Sequence, residues 1–161
     1  KLSPHYETFE IGKAEVLREG ADGALLAYGA MVYRCLQAAE KLSEKGIEVT
    51  VVNARFVKPL DKELILELIR NHKLIITAED HALMGGFGSA VLELVSDERE
   101  NVNKILRMGI PDCFIEHGPR NLMLKNIGLD EGGIADKFIT TLDLMNIRGS
   151  FTKTGKQRLS V

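Results

Sequence analysis

Leu74-Ile75-Ile76-Thr77-Ala78-Glu79-Asp80-His81-Ala82-Leu83-Met84-Gly85-Gly86-Phe87-Gly88-Ser89-Ala90-Val91-Leu92-Glu93 is the stretch that decides the fold. A β-branched apolar run reads as a buried strand, Leu74 to Thr77, and the apolar spacing that resumes at Phe87 reads as a helix to about Ser96. Between them lie an acid and imidazole cluster and two glycines, with a third, Gly88, just inside the helix. Strand, loop and helix in immediate succession are the unit from which α/β sheets are built.

Upstream the same alternation repeats. Ala14 to Arg18 alternates polar and apolar, as an edge strand does, and Ala24-Leu25-Leu26-Ala27-Tyr28 is apolar on both faces and reads as a central strand. Met31, Val32, Cys35, Leu36, Ala39 and Leu42 then follow helical spacing, with Gly46 as the C-terminal stop. Ile47 to Val52 is a further strand, and Asp61 is placed as the N-cap of a helix that carries Leu64, Ile65, Leu68 and Ile69 on one face. Downstream, Lys104 to Met108 is the last strand and Asn121 to Ile127 a short helix. A final helix begins at Asp130-Glu131, with Ile134, Phe138, Leu142 and Met145 inward. Strands alternating with helices imply an α/β domain with a mostly parallel sheet covered on both faces. The right-handed crossover rule gathers Arg55 and the Glu79-to-Gly88 loop at the sheet's carboxyl edge.

Composition narrows the function classes. The chain has 161 residues, 45% of them hydrophobic, and a formal charge of −2. That supports one domain with a full core. Arg148, Lys153, Lys156 and Arg158 all follow the last acid, Asp143, so the body is more acidic than the total implies. An acidic body argues against nucleic acid. No apolar run reaches membrane-spanning length and the start lacks a signal-peptide core, so a soluble, cytoplasmic protein is expected. The expected divisions are a lead-in linker (residues 1–12), the α/β domain (13–147) and a basic, flexible tail (148–161). A first residue of Lys rather than Met implies a piece of a longer product. Cys35 falls on the buried helix stripe and reads as a small core hydrophobe, and the two cysteines read as free thiols.

The residues at the carboxyl edge admit competing roles. Arg55 suits an anion or interface clamp, or a guanidinium that pins its own loop through carbonyls and Asp61. Glu79 and His81 suit general acid/base work, or a hydrogen-bonded loop or subunit contact. Three consecutive side chains cannot converge on one metal. Gly85, Gly86 and Gly88 match neither the dinucleotide fingerprint nor a Walker loop, and a tight strand-to-helix turn explains them as well as a phosphate cradle does. No nucleophile, metal set or phosphate lysine completes a catalytic site.

Several passages in one order carry a resemblance. Val51-Val52-Asn53-Ala54-Arg55-Phe56-Val57-Lys58-Pro59-Leu60-Asp61 resembles the strand-to-helix passage in the C-terminal domain of the transketolase family. Ile11 to Gly20, Glu79 to Val91, Gly109-Ile110-Pro111-Asp112-Cys113-Phe114-Ile115-Glu116-His117-Gly118 and Gly128-Leu129-Asp130 are similar to its 1-deoxy-D-xylulose-5-phosphate synthase branch. The likeness runs from about residue 11 to 144. It implies a three-layer α/β/α domain with a mixed, mostly parallel five-stranded sheet, the antiparallel strand being Ala14 to Arg18.

The resemblance also implies a parent enzyme that condenses pyruvate with glyceraldehyde 3-phosphate, with loss of carbon dioxide, on the route to isoprenoid precursors. Thiamine diphosphate and Mg²⁺ supply that chemistry. The family's Gly-Asp-Gly cofactor motif, its ring-activating glutamate and its substrate-phosphate arginine have no counterparts here. The implied role is therefore a non-catalytic domain, binding no cofactor itself, that docks on the cofactor-binding domains and joins in a homodimer. Arg55, Asp61, Glu79, His81, Gly85, Gly86 and Gly88 would form the docking edge. A free-standing α/β assembly module is the alternative from another class. The C-terminal domain of a pyruvate-dehydrogenase-type beta subunit is the enzyme rival, disfavoured by Phe56-Val57-Lys58 and Ile110-Pro111-Asp112.

Overall fold

Strand β2 (Gly23–Ala27) lies at the middle of a five-stranded sheet, and every one of its residues is buried. The computed structural model describes residues 8–155, and side-chain surroundings through residue 145. The other strands are β1 (Glu15–Arg18), β3 (Val49–Asn53), β4 (Ile75–Ala82) and β5 (Ile105–Ile110), in the spatial order β1-β3-β2-β4-β5. Strands β2 to β5 pair in parallel, and β1 runs antiparallel to β3. The three-layer, mixed five-stranded α/β/α arrangement that the sequence implies is thus the one observed.

Side-chain alternation along each strand divides the apolar residues between two layers. Leu25, Ala27, Val51, Ile76, Ala78 and Met108 face α1 (Met31–Ser43) and α5 (Glu131–Gly155), meeting Met31, Cys35, Leu42, Ile134 and Phe138. Ala24, Leu26, Val52 and Ile75 face α2 (Lys62–Asn71) and α3 (Phe87–Asp97), meeting Ile65, Ile69, Phe87, Val91 and Val95. A central strand flanked on both faces has no polar side, which is why Ala24-Leu25-Leu26-Ala27 carries none. A 3-10 turn (Val102–Lys104) leads into β5, and a short helix, α4 (Arg120–Asn126), precedes α5.

Helix ends follow local chemistry. The Asp61 carboxylate accepts from the Leu64 N–H (3.2 Å) at the start of α2, and Asp130 accepts from the Gly133 N–H (2.9 Å) at the start of α5. Gly46, at φ +76°, reverses the chain after α1. Cys35 is fully buried and free, and burial pushes its thiol up to about 12. It serves as a core side chain.

Two segments differ from the sequence reading. β4 extends to Ala82 rather than ending at Thr77, because β5 continues alongside it as far as the Ala82–Ile110 pair, past a register shift after Ala78. Helix α5 continues through Gly155, so residues 148–155 are helical where a frayed tail was expected. The rest of that tail, 156–161, and residues 1–7 of the lead-in linker lie outside the described residues.

His72 caps the end of α2 and is 9% exposed, and its Nδ1 has no hydrogen-bond partner among the described residues. Burial lowers its pKa from the ordinary 6.5, opposed by the Ala21 backbone and aided by the Lys104 cation. The folded chain therefore binds fewer protons than the unfolded chain just below that value. Stability is held in full above about pH 6.5 and falls as the pH drops below it, levelling once the folded-state pKa is passed. His72→Gln is expected to flatten this part of the profile. Urea midpoints taken from about pH 7.5 to about pH 5.5 check it, and a slope unchanged by the substitution would contradict it.

Candidate functional site at the carboxyl edge of the sheet

The carboxyl ends of β2, β3 and β4 open onto a cleft of about 550 Å³ lined by Tyr28, Val57, Asp80, His81, Gly86 and Phe87, among others. This is the crevice where the chain's crossovers diverge to either side of β2, the position at which open α/β sheets hold ligands. Tyr28 and Phe87 stack at its wall, with centroids 5.6 Å apart. The edge residues, however, are largely spoken for by the chain itself.

Glu79 is 1% exposed, and its carboxylate lies across the start of α3. The Phe87 N–H donates to Oε2 (2.6 Å) and the Gly88 N–H to Oε1 (2.8 Å). An anion at a helix N-terminus satisfies orphan donors and meets the positive end of the dipole. The position a ligand phosphate would take is thus filled by the protein's own carboxylate. The three glycines have matching reasons. A Cβ on Gly86 would lie 2.1 Å from Glu79 Oε2, and one on Gly88 would lie 2.5 Å from Thr77 Oγ1. Gly85 has φ +73°, which favours glycine. Close packing against Glu79 and Thr77 leaves no room for a side chain at Gly86 or Gly88.

The acid cluster does not converge. Asp80 is exposed and pairs with Arg120 Nη2 (2.5 Å), tying the end of β4 to the start of α4. His81 is exposed, with Nδ1 3.3 Å from the Ala82 carbonyl. Glu79 and His81 therefore form no acid/base pair: one is buried in the helix cap and the other faces solvent beside the cleft.

Arg55 and Asp61 also part company. Arg55 sits at φ +56°, with its N–H held by Asn53 Oδ1 (3.1 Å). Its guanidinium pairs with Glu15 of β1 (2.6 Å) and lies over the Phe9 ring (4.3 Å to the centroid), not on Asp61. Asp61 is 8% exposed and also accepts from the Ala14 N–H (3.0 Å), so it fastens the lead-in to β1 onto α2. Arg55 joins the described end of the lead-in linker to the carboxyl edge, and Asp61 faces inward.

Several residues of this edge were not singled out by sequence. Arg107 of β5 donates through Nη1 to the Leu83 carbonyl (2.9 Å) and Ser89 Oγ (2.7 Å), which braces the turn into α3. A cation inside an otherwise apolar strand was the available signal. Met84 and Phe114 are 72% and 105% exposed beside a second cleft, and nothing local distinguishes them from core residues.

Comparisons with known proteins agree with this architecture. Residues 12–134 match the family Transketolase, C-terminal domain. The chain is 54% identical over 134 residues to 1-deoxy-D-xylulose-5-phosphate synthase 1 of Geobacter sulfurreducens, covering 83% of this chain and 21% of that protein. It is 49% identical over 145 residues to the 1-deoxy-D-xylulose-5-phosphate synthase of a Synechococcus strain, covering 90% and 22%. The chain therefore spans about a fifth of the length of these relatives. Among solved structures, a split-gene transketolase described as an inactive beta4 tetramer is similar at TM-score 0.79 and 34% identity, over 89% of this chain and 46% of that one. A Pichia stipitis transketolase mutant shares the fold at TM-score 0.59 and 18% identity, over 83% and 18%. The mixed sheet, its antiparallel first strand, the self-capped glycine turn and a match over most of the domain lead to one assignment: the chain belongs to the transketolase C-terminal domain family.

Proposed function

We propose that this chain is the C-terminal domain of a thiamine-diphosphate-dependent synthase that joins pyruvate to glyceraldehyde 3-phosphate, releasing carbon dioxide and forming 1-deoxy-D-xylulose 5-phosphate. The observation that carries this reading is the 54% identity to such a synthase over nearly the whole domain. In it, the chain works in the cytoplasm, docks against the cofactor-binding domains through the cleft at Tyr28, Val57 and His81, and assembles as a homodimer. Among the described residues no helix is long and apolar enough to cross a membrane, which is compatible with that setting. A relative described as an inactive beta4 tetramer supports self-association.

The residues of this chain do not fit thiamine diphosphate. The glycine-lined start of α3 is capped by Glu79, and among the described residues no group of three or more His, Cys, Asp or Glu is arranged to hold Mg²⁺. No step of the condensation is assigned to a residue here. The chain's part is positional: it covers the neighbouring domains and excludes water from surfaces they would otherwise expose.

Two measurements test this. Calorimetry of the 161-residue chain with thiamine diphosphate and Mg²⁺ is expected to give no saturable heat, and Mg²⁺-dependent saturable binding would overturn the division of labour. A chimaera in which this chain replaces the matching residues of the Geobacter sulfurreducens relative is expected to form product from pyruvate and glyceraldehyde 3-phosphate. A folded, cofactor-loaded chimaera that makes none would sink the assignment itself.

A further inference from the structure

Residues 8–14 of the lead-in form neither helix nor strand, yet they are fastened along their length to the passage that joins β3 to α2. Phe9 lies against the Arg55 guanidinium, 4.3 Å from its carbon to the ring centroid, and Gly12 packs so closely on Pro59 that a Cβ there would lie 2.8 Å from the ring Cγ. Lys13 pairs with Glu63 (2.8 Å), and the Ala14 N–H donates to Asp61 Oδ2 (3.0 Å). Flexible connections between units make few contacts of this kind.

Arg55 is the centre of the clasp. Its φ of +56° is a left-handed backbone that a residue with a Cβ adopts at a cost, and such geometry persists only where its surroundings enforce it. In this pose the guanidinium, 22% exposed, reaches Glu15 of β1 (2.6 Å) and the Phe9 ring together. A surface ion pair alone contributes little, because the ordering of two long side chains offsets the attraction. Here one ordered guanidinium meets both a carboxylate and an aromatic face, so a single ordering supports two contacts.

We propose that residues 8–14 and the β3–α2 passage form a rigid joint, locked by Arg55, that fixes the direction from which the preceding polypeptide meets the cleft at Tyr28 and Val57. Val57 belongs to the same passage, two residues after Arg55, so the joint and the cleft share a wall. A stiff connection of matching span keeps two linked surfaces in register, whereas a loose one spreads them over many arrangements. This inference rests on the reading that the chain docks against domains that precede it, and it names the element that sets their approach.

A nitroxide on Thr8→Cys reads the joint directly, in a 161-residue chain whose exposed Cys113 is replaced by serine and whose buried Cys35 takes no label. The expected spectrum is a single slow component that tumbles with the domain. Arg55→Gly then separates two roles for the arginine. Glycine adopts a left-handed φ freely, so if Arg55 served only its own turn, the variant would be at least as stable and the lead-in would stay in place. The joint predicts instead a fast nitroxide component and exchange of the Ala14 amide about 10-fold faster or more, with the Leu25 and Leu26 amides no faster. Glu15→Gln, at a half-exposed carboxylate, is expected to act in the same direction. A nitroxide already fast without either substitution, or a spectrum and Ala14 exchange that neither variant moves, would overturn the proposal. In the chimaera, a freely moving nitroxide with full product formation would defeat this inference alone, and a fixed nitroxide with no product would defeat the assignment alone.

Discussion

Glu79→Ala is expected to lower the unfolding free energy by about 3 kcal/mol or more, read as a shifted urea midpoint with an unchanged slope. The carboxylate accepts from two buried N–H groups, Phe87 and Gly88, at 2.6 Å and 2.8 Å. A hydrogen bond to a charged acceptor contributes roughly 1.5–3 kcal/mol, and the donors left without a partner cost about 1–3 kcal/mol each. Set against the roughly 5–15 kcal/mol that holds a domain folded, this is a large fraction. Glu79→Gln should recover only part of the loss, because its amide NH₂ would face one of the two donors. Gly86→Ala should be comparably damaging, since its Cβ would sit 2.1 Å from Glu79 Oε2 and 2.4 Å from the Ala82 carbonyl. A midpoint for Glu79→Ala within about 0.5 kcal/mol of wild type would show that water or a neighbour replaces the carboxylate. The capping role would then fall.

Phe138→Ala should cost about 3–5 kcal/mol, the range for removing a fully buried aromatic ring and leaving a cavity. Phe138 is 0% exposed and belongs to the layer where α5 covers β2 and α1. Its ring reaches to the start of β2, where a Cβ on Gly23 would lie 2.5 Å from the ring Cζ. The glycine at that strand start makes room for the ring, so neither position relaxes freely. Leu144→Ala on the same helix, where the side chain is 54% exposed, is expected within about 0.5 kcal/mol of wild type. Chemical denaturation of the two variants separates them. Equal losses at 138 and 144 would mean that α5 docks by some face other than the one described.

The Phe138 stripe is legible because helix periodicity is local: Ile134 and Phe138 recur at helical spacing, and the face they share must be buried somewhere. The Glu79 cap is not legible. Three polar residues in a row, Glu79-Asp80-His81, read as the end of a strand and the start of a functional loop. In the fold the strand runs on, with Glu79 the last buried residue and Asp80 and His81 exposed where the strand leaves the core. What makes an inward carboxylate tolerable is a pair of N–H groups that only the folded turn into α3 brings within reach.

Arg55 teaches the same lesson from the other side. Its local setting offered Asp61 as a partner, but Asp61 is taken by Ala14 and Leu64, and Arg55 pairs instead with Glu15 across the β1–β3 ladder. Charged side chains reach several ångströms in many directions, and which opposite charge they meet depends on strand order. That order, β1-β3-β2-β4-β5, follows from crossover connections and not from any one segment.

By itself the sequence determined the class of fold, because an all-apolar Ala24-Leu25-Leu26-Ala27, a helical stripe from Met31 to Leu42 and a capping Asp61 are each decided by burial and hydrogen bonding within a few residues. It also determined the family resemblance, through several passages in one order. Only the tertiary structure decided that the glycine turn is closed by the chain's own Glu79, that Arg55 and Asp61 serve separate contacts, and that Phe114 and Met84 stand uncovered beside a hollow. Those outcomes depend on which distant groups share a surface. No local pattern encodes that, because the partners are chosen by the packing of whole elements.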